Sequence, residues 1–194
     1  MLVIGNGESR LGININSINQ VKVGCNAVYR DYPVNHLICV DRKMVREVVN
    51  SDVANIVYTR KDWYNEFSTS PLVQEVPELP YYGTERQDEP FQWGSGPYAV
   101  LLASMLADPW DEDIKLIGFD LYSATDRVNN VYKDTQNYNK SEHHSIDPRY
   151  WIYQIGKVFE NFPHHNYKIY QEHLWQLPEA WIQPNVSLDK ISNL

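Results

Sequence analysis

The chain opens on a short apolar run, Met1-Leu2-Val3-Ile4, that breaks at once into Gly5-Asn6-Gly7 and then Glu8-Ser9-Arg10. Such a run reads as a buried strand. The glycines that end it let backbone come close to a neighbour or a ligand, since neither carries a β-carbon. A first strand ending in a glycine-rich turn ties the fold to architectures that bind ligands at strand ends.

The rest of the chain repeats the alternation of strand and helix. Further strands are expected at residues 21–25, 36–40, 54–58, 114–117 and 167–170. Helices are expected at 44–49, with Asp41 as a cap, at 95–106, with Ser95 as a cap and Pro97 early in the first turn, and at 148–162. Residues 69–93 carry Pro71, Pro77, Pro80 and Pro90 with no clear period, and read as a long loop. Residues 123–142 are polar and irregular. Alternating elements pack as a mostly parallel sheet with helices on both faces. The expectation is a single Rossmann-like α/β domain over 1–194, with a lid-like insert at about 123–144 and an aromatic tail at about 172–194. In such sheets ligands sit outside the carboxyl ends of the strands. Gly5–Ser9, Asn26 and Gly118–Tyr122 fall there.

Composition removes several classes. The net charge of −8 disfavours a nucleic-acid surface, which needs clustered Lys and Arg. No stretch approaches the ~20 apolar residues of a membrane span. Met1 leads into a strand with no charged n-region, so no signal peptide is expected. The two cysteines, Cys25 and Cys39, fall in expected strands and read as free thiols of a cytoplasmic protein.

Each motif has a functional and a plain structural reading. GNGESR lacks the P-loop spacing and its lysine, and Arg10 breaks a GxGxxG match. Its glycines can still bring backbone N–H groups to a phosphate, with Arg10 as a candidate charge. Asn26 offers a donor and an acceptor that suit a base edge or a ribose. Gly94-Ser95-Gly96 places free N–H groups and a hydroxyl at a helix start. Asp120 can bind a metal or a sugar hydroxyl, or cap a helix. His143-His144 and His164-His165 are adjacent pairs whose side chains diverge, and the second pair reads as exposed. Neither has the spacing of a structural zinc site, and no metal is expected. A single histidine at a cleft mouth suits a general base.

The order of these motifs resembles the bacterial mono- and bifunctional sialyltransferases. GNG-x-S is followed by GCN-x-x-Y, by SG opening an apolar helix, by I-x-G-x-D-x-Y, and by an irregular insert ending in HS. The resemblance runs from about Leu2 to Leu177. It implies inverting transfer of a sugar, sialic acid or one like it, from a cytidine-nucleotide donor to a hydroxyl acceptor, without a metal or further cofactor. By the same resemblance Asn6, Gly7, Ser9, Asn26, Ser95, Gly96 and Asp120 contact the donor. Tyr122 and, at a longer spacing, Tyr132 neutralise the leaving phosphate, and His144 is the general base. Three features depart from the family. Glu8 replaces a Pro, Gln92 replaces an Arg for which Arg10, Arg30 or Arg86 are candidate substitutes, and the basic C-terminus is absent. Two other readings stay open. One is magnesium-dependent diphosphate transfer, as in the archaeal pterin pyrophosphokinases, with Asp120 and Asp41 as ligands. The other is a nucleotide-binding protein without chemistry. A homo-oligomer is also open, because Trp175 and Trp181 of the tail could cover another subunit or the chain's own core.

Overall fold

The computed structural model describes residues 1–51, 56–108, 113–172 and 174–194. Among these residues eight strands form one sheet: β1 (Leu2–Ile4), β2 (Lys22–Cys25), β3 (His36–Ile38), β4 (Ile56–Thr59), β5 (Val73–Glu75), β6 (Ile114–Ile117), β7 (Tyr167–Gln171) and β8 (Val186–Lys190). Their order is β5-β4-β3-β2-β1-β6-β7-β8, and every pair is parallel. Among the described residues the α-helices are α1 (Arg42–Val49), α2 (Lys61–Phe67), α3 (Ser95–Leu106) and α4 (Arg149–Asn161). The chain is therefore an α/β protein of Rossmann-like design. The strand order reverses between β1 and β6, the topological switch point where crevices form in open parallel sheets.

Alternation along the strands divides the core between the two faces. Leu2, Ile4, Leu37 and Cys39 pack with Met44, Val45 and Val48 of α1 on one face. Val3, Val23, Cys25 and Ile38 pack with α3 and α4 on the other. Helix α3 is apolar and buried at Ser95 and from Pro97 to Ser104, as expected of a helix held between a sheet and a second helix. Cys25 and Cys39 are free and buried, and burial pushes the Cys25 thiol up to about 12. Among the described residues no helix is long and apolar enough to cross a membrane.

Several expectations need correction. The expected loop at 69–93 contains the edge strand β5. Its Val73–Glu75 run pairs with β4, and a three-residue edge strand is too short to show a period. Helix α2 lacks a sequence signature for the same reason of length. Of the expected strand at 54–58, residues 54 and 55 lie outside the described residues, and β4 carries the rest of it on to Thr59. Asp41 sits at the N-cap of α1, but its side chain makes no capping bond. The strand at 167–171 is not the last. The aromatic tail returns as β8 against β7, with Trp181 fully buried among Phe159 and its neighbours. The tail thus covers the chain's own core. His165, expected to be exposed, is buried, with Nε2 paired to the Ser104 carbonyl at 2.8 Å.

The tightest backbone approach lies at the switch point. A β-carbon on Gly5 would stand 2.3 Å from the Gly118 carbonyl oxygen. One on Gly118 would stand 2.8 Å from the Gly5 oxygen, in a residue whose φ is +69°. Gly5→Ala or Gly118→Ala should cost about 3 kcal/mol or more in urea unfolding, because two strand ends must part. Gly12→Ala is the control. Its φ is +85° but nothing lies within 4 Å of the added carbon, so only backbone strain of about 1 kcal/mol is expected.

Candidate functional site

The first turn is built by Asp120. Gly5 N donates to Ile117 O at 2.8 Å and Gly7 N to Gly118 O at 2.9 Å, which carries the backbone of β1 onward alongside that of β6. The Asp120 carboxylate then accepts Ser9 N at 2.9 Å, the Ser9 hydroxyl, and Gln171 Nε2 at 3.1 Å. Gly7 has no room for a side chain, since its β-carbon would fall 2.3 Å from Asp120 Cγ. The Trp175 indole donates to Asp120 O at 2.7 Å, and its ring lies 6.2 Å from that of Tyr122. Asp120 and Ser9 therefore shape the Asn6–Gly7 turn, and Ser9 itself does not line the cavity. Leu121, at φ +60°, turns Tyr122 out of the strand line. Burial raises the Tyr122 hydroxyl above its ordinary range.

Asn26 ends β2 in a left-handed conformation, φ +50°, which asparagine tolerates better than most residues. Its Oδ1 accepts the Ser95 hydroxyl at 2.8 Å, and Ser95 Oγ accepts Val40 N at 3.2 Å. Ser95 is the first residue of α3 rather than its cap, a place taken by Gly94. It fastens the helix start to the ends of β2 and β3. The first-turn N–H groups of α3 face the same space as the Asn6–Gly7 turn.

The insert after β6 is tied down to the first turn. Val131 N donates to Asn6 O at 2.8 Å, Asn129 Oδ1 accepts Glu8 N at 2.9 Å, and Lys133 pairs with Glu8 at 2.6 Å. That pair offsets the negative charge of Glu8 in the turn. Tyr132 is buried and does not line the cavity. Its hydroxyl donates to Asp31 at 2.6 Å and accepts Arg10 at 2.8 Å. The wall is formed instead by Tyr138, whose hydroxyl accepts Asn6 Nδ2 and Ala27 N, each at 3.2 Å. Arg10 is 1% exposed, with its guanidinium between the rings of Tyr32 and Tyr132, so it does not reach a ligand. Arg30 is committed to Glu47, and neither it nor Arg86 lines the cavity.

These pieces enclose a cavity of about 540 Å³ at the switch point. Of the expected residues, Asn6, Gly7, Asn26, Ser95, Gly96, Asp120 and Tyr122 line it together. Its wall is rich in amides, with Asn129, Asn130, Asn137 and Asn139 from the insert, and in ring faces, with Trp93, Phe119 and Trp151. His144 stands one residue outside the wall, beside Ser145. It is largely exposed, and its Nδ1 pairs with Asp126 Oδ2 at 2.9 Å. That hydrogen bond holds the Asp126 carboxyl below its ordinary range. The insert's asparagines escape a reading of sequence alone, because one-residue contacts from irregular chain leave no periodic trace, and Trp151 reads there only as one more aromatic residue of α4. Among the described residues no three of His, Cys, Asp and Glu come together as a metal site. No family model, curated protein or solved structure matches the chain.

Asp120→Asn puts an amide where every neighbour is a donor. It should cost about 2 kcal/mol in chemical unfolding through the donors left unpaired. Hydrogen exchange offers a separate check on the insert. The amides of Glu8 and Val131 should be protected in the ligand-free protein, and fast exchange at both would mean the insert is loose.

Proposed function

We propose that this protein is a nucleotide-sugar-dependent glycosyltransferase, moving a sugar from a cytidine-nucleotide donor to a hydroxyl acceptor. One observation carries the reading. Two strand-end turns, Asn6–Gly7 and Asp120–Tyr122, meet Asn26 and the start of α3 around a single cavity walled by amides and aromatic rings. Amides suit ribose, sugar and base edges, and ring faces suit the apolar faces of sugars and bases. The resemblance of the motif order to the sialyltransferases supplies the cytidine and the inverting chemistry.

In this reading the acceptor oxygen attacks the anomeric carbon as His144 takes its proton. The bond to the phosphate oxygen breaks, and its electron pair leaves with the cytidylate. Tyr122 donates to the departing phosphate, and the backbone N–H of Gly96 in the first turn of α3 shares the charge. Tyr138 joins them, since its hydroxyl accepts two hydrogen bonds and keeps its own proton to give. The Asp126 bond at Nδ1 fixes the His144 ring and leaves Nε2 for the acceptor, which arrives from solvent. Magnesium-dependent diphosphate transfer is less well served, because Asp120, one of its two candidate ligands, already holds Ser9 and Gln171.

A thermal-shift panel separates the readings. Cytidine 5′-monophosphate without metal should raise Tm, whereas a response only to ATP with magnesium would favour diphosphate transfer. No nucleotide response would remove both. In a transfer assay with a cytidine-monophosphate sugar, His144→Ala should lose ~10²–10⁴ in kcat, as expected for a general base, with donor binding little changed. Asp126→Asn should lose about tenfold by the same assay, less than His144→Ala, because it removes the negative charge that steadies the protonated ring and lets an NH2 group compete for Nδ1. Turnover of His144→Ala at the wild-type rate would place the base elsewhere.

A further inference from the structure

Among the described residues that line the cavity, Arg60 is the one cation, against the acids Asp41 and Asp120. It follows β4 and precedes α2, in a stretch where the sequence shows no motif. Its side chain reaches across to the loop before α3, where Nη1 donates to Phe91 O, and Nη2 pairs with Asp62 at 3.1 Å. Its Nε is buried and meets no acceptor. Other donors near the start of α3 are likewise unmet. Trp93, 1% exposed and part of the cavity wall, has an indole N–H with no partner. The Trp151 indole nitrogen lies 2.8 Å from where a β-carbon on Gly94 would stand, so Gly94 leaves room for it beside the helix start. The N–H groups of Ser95 and Gly96 have no intrahelical acceptor, and the helix dipole adds partial positive charge there.

Two buried donors of the cavity-wall residues, Arg60 Nε and Trp93 Nε1, have no acceptor, and beside the free N–H groups of the helix start they call for an anion. We propose that Arg60, with the start of α3 and the Trp93 and Trp151 indoles beside it, forms an oxyanion subsite that holds a phosphate monoester on the ligand. The inference rests on the glycosyltransferase reading only in taking that phosphate to be the donor's. Arg60 supplies the full charge that Arg10 and Arg30 cannot, because both are committed away from the cavity. Asp62 holds part of that charge in the free protein and competes with the ligand for it. This competition separates an anion-binding role from a merely structural one. If Arg60 only braces the loop at Phe91, removing Asp62 should loosen the site. If Arg60 binds phosphate, removing Asp62 should strengthen the site.

Calorimetry with cytidine, cytidine 5′-monophosphate and inorganic phosphate tests this on wild type, Arg60→Gln, Arg60→Lys and Asp62→Asn. Wild type should bind the monophosphate about tenfold to a hundredfold more tightly than cytidine, the worth of a charge-assisted contact. Arg60→Gln should erase that preference and leave cytidine affinity unchanged. Arg60→Lys should keep part of it, and Asp62→Asn should raise it. Equal affinities for the two ligands in wild type would overturn the proposal, as would a fall in preference in Asp62→Asn. Should Arg60→Gln not fold, Arg60→Lys and Asp62→Asn decide the matter. If neither cytidine ligand binds, the nucleotide reading fails by itself, and inorganic phosphate then judges the subsite. Millimolar binding that Arg60→Lys weakens and Asp62→Asn strengthens sustains it, and no phosphate binding removes it.

Discussion

The contact between Gly5 and Gly118 sets the geometry on which the site depends. Two parallel strands that end side by side would normally diverge as their side chains alternate outward. Here neither strand end carries a β-carbon, so the two backbones continue in contact, and Gly5 and Gly7 donate to Ile117 and Gly118 past the sheet itself. The Asn6–Gly7 turn is thereby held against the Asp120 carboxylate. That carboxylate accepts donors from Ser9 and from the end of β7. A buried acid with three donors is worth more as a clamp than as a ligand. Its removal would strand each of those donors.

The cavity that results is bounded by layers with different duties. The strand ends and the start of α3 are fixed by backbone pairing and by the Asn26–Ser95 bond. The insert closes the side away from the sheet and is pinned by buried groups. Tyr132 bridges Arg10 and Asp31, and Tyr138 reaches Asn6 and Ala27. Burial holds both tyrosine hydroxyls well above their ordinary range, so they act as neutral hydrogen-bonding posts. The buried guanidinium of Arg10, between two rings, joins the first turn to the insert. A charge buried that deeply is tolerable only with such partners, and this is why the motif's arginine serves packing rather than ligand.

Much of the fold and part of the site are legible in the sequence, and for identifiable reasons. The run Leu2–Ile4, the glycines after it, the apolar helix from Ser95 and the strand at 114–117 each carry their pattern locally. Strand ends in an alternating chain must gather on one side of a parallel sheet, so the positions of Asn6, Asn26, Asp120 and Tyr122 along the chain are enough to bring them together. Residues 73–75, the helix 61–67 and β8 are not legible in this way. Short edge elements derive their conformation from a neighbour rather than from their own periodicity.

What the sequence determined alone is the set of backbone permissions: where glycine allows close approach, where asparagine allows a left-handed turn, and where a helix begins. What only the tertiary structure decided is the assignment of charged and aromatic side chains. Arg10, Tyr132 and His165 go inward, Tyr138 and Trp151 form the cavity wall, and Arg60 crosses to the start of α3. The reason is physical. A glycine's conformational freedom belongs to the residue itself. The place of a long polar side chain is set by which partners, brought from distant parts of the chain, can satisfy it.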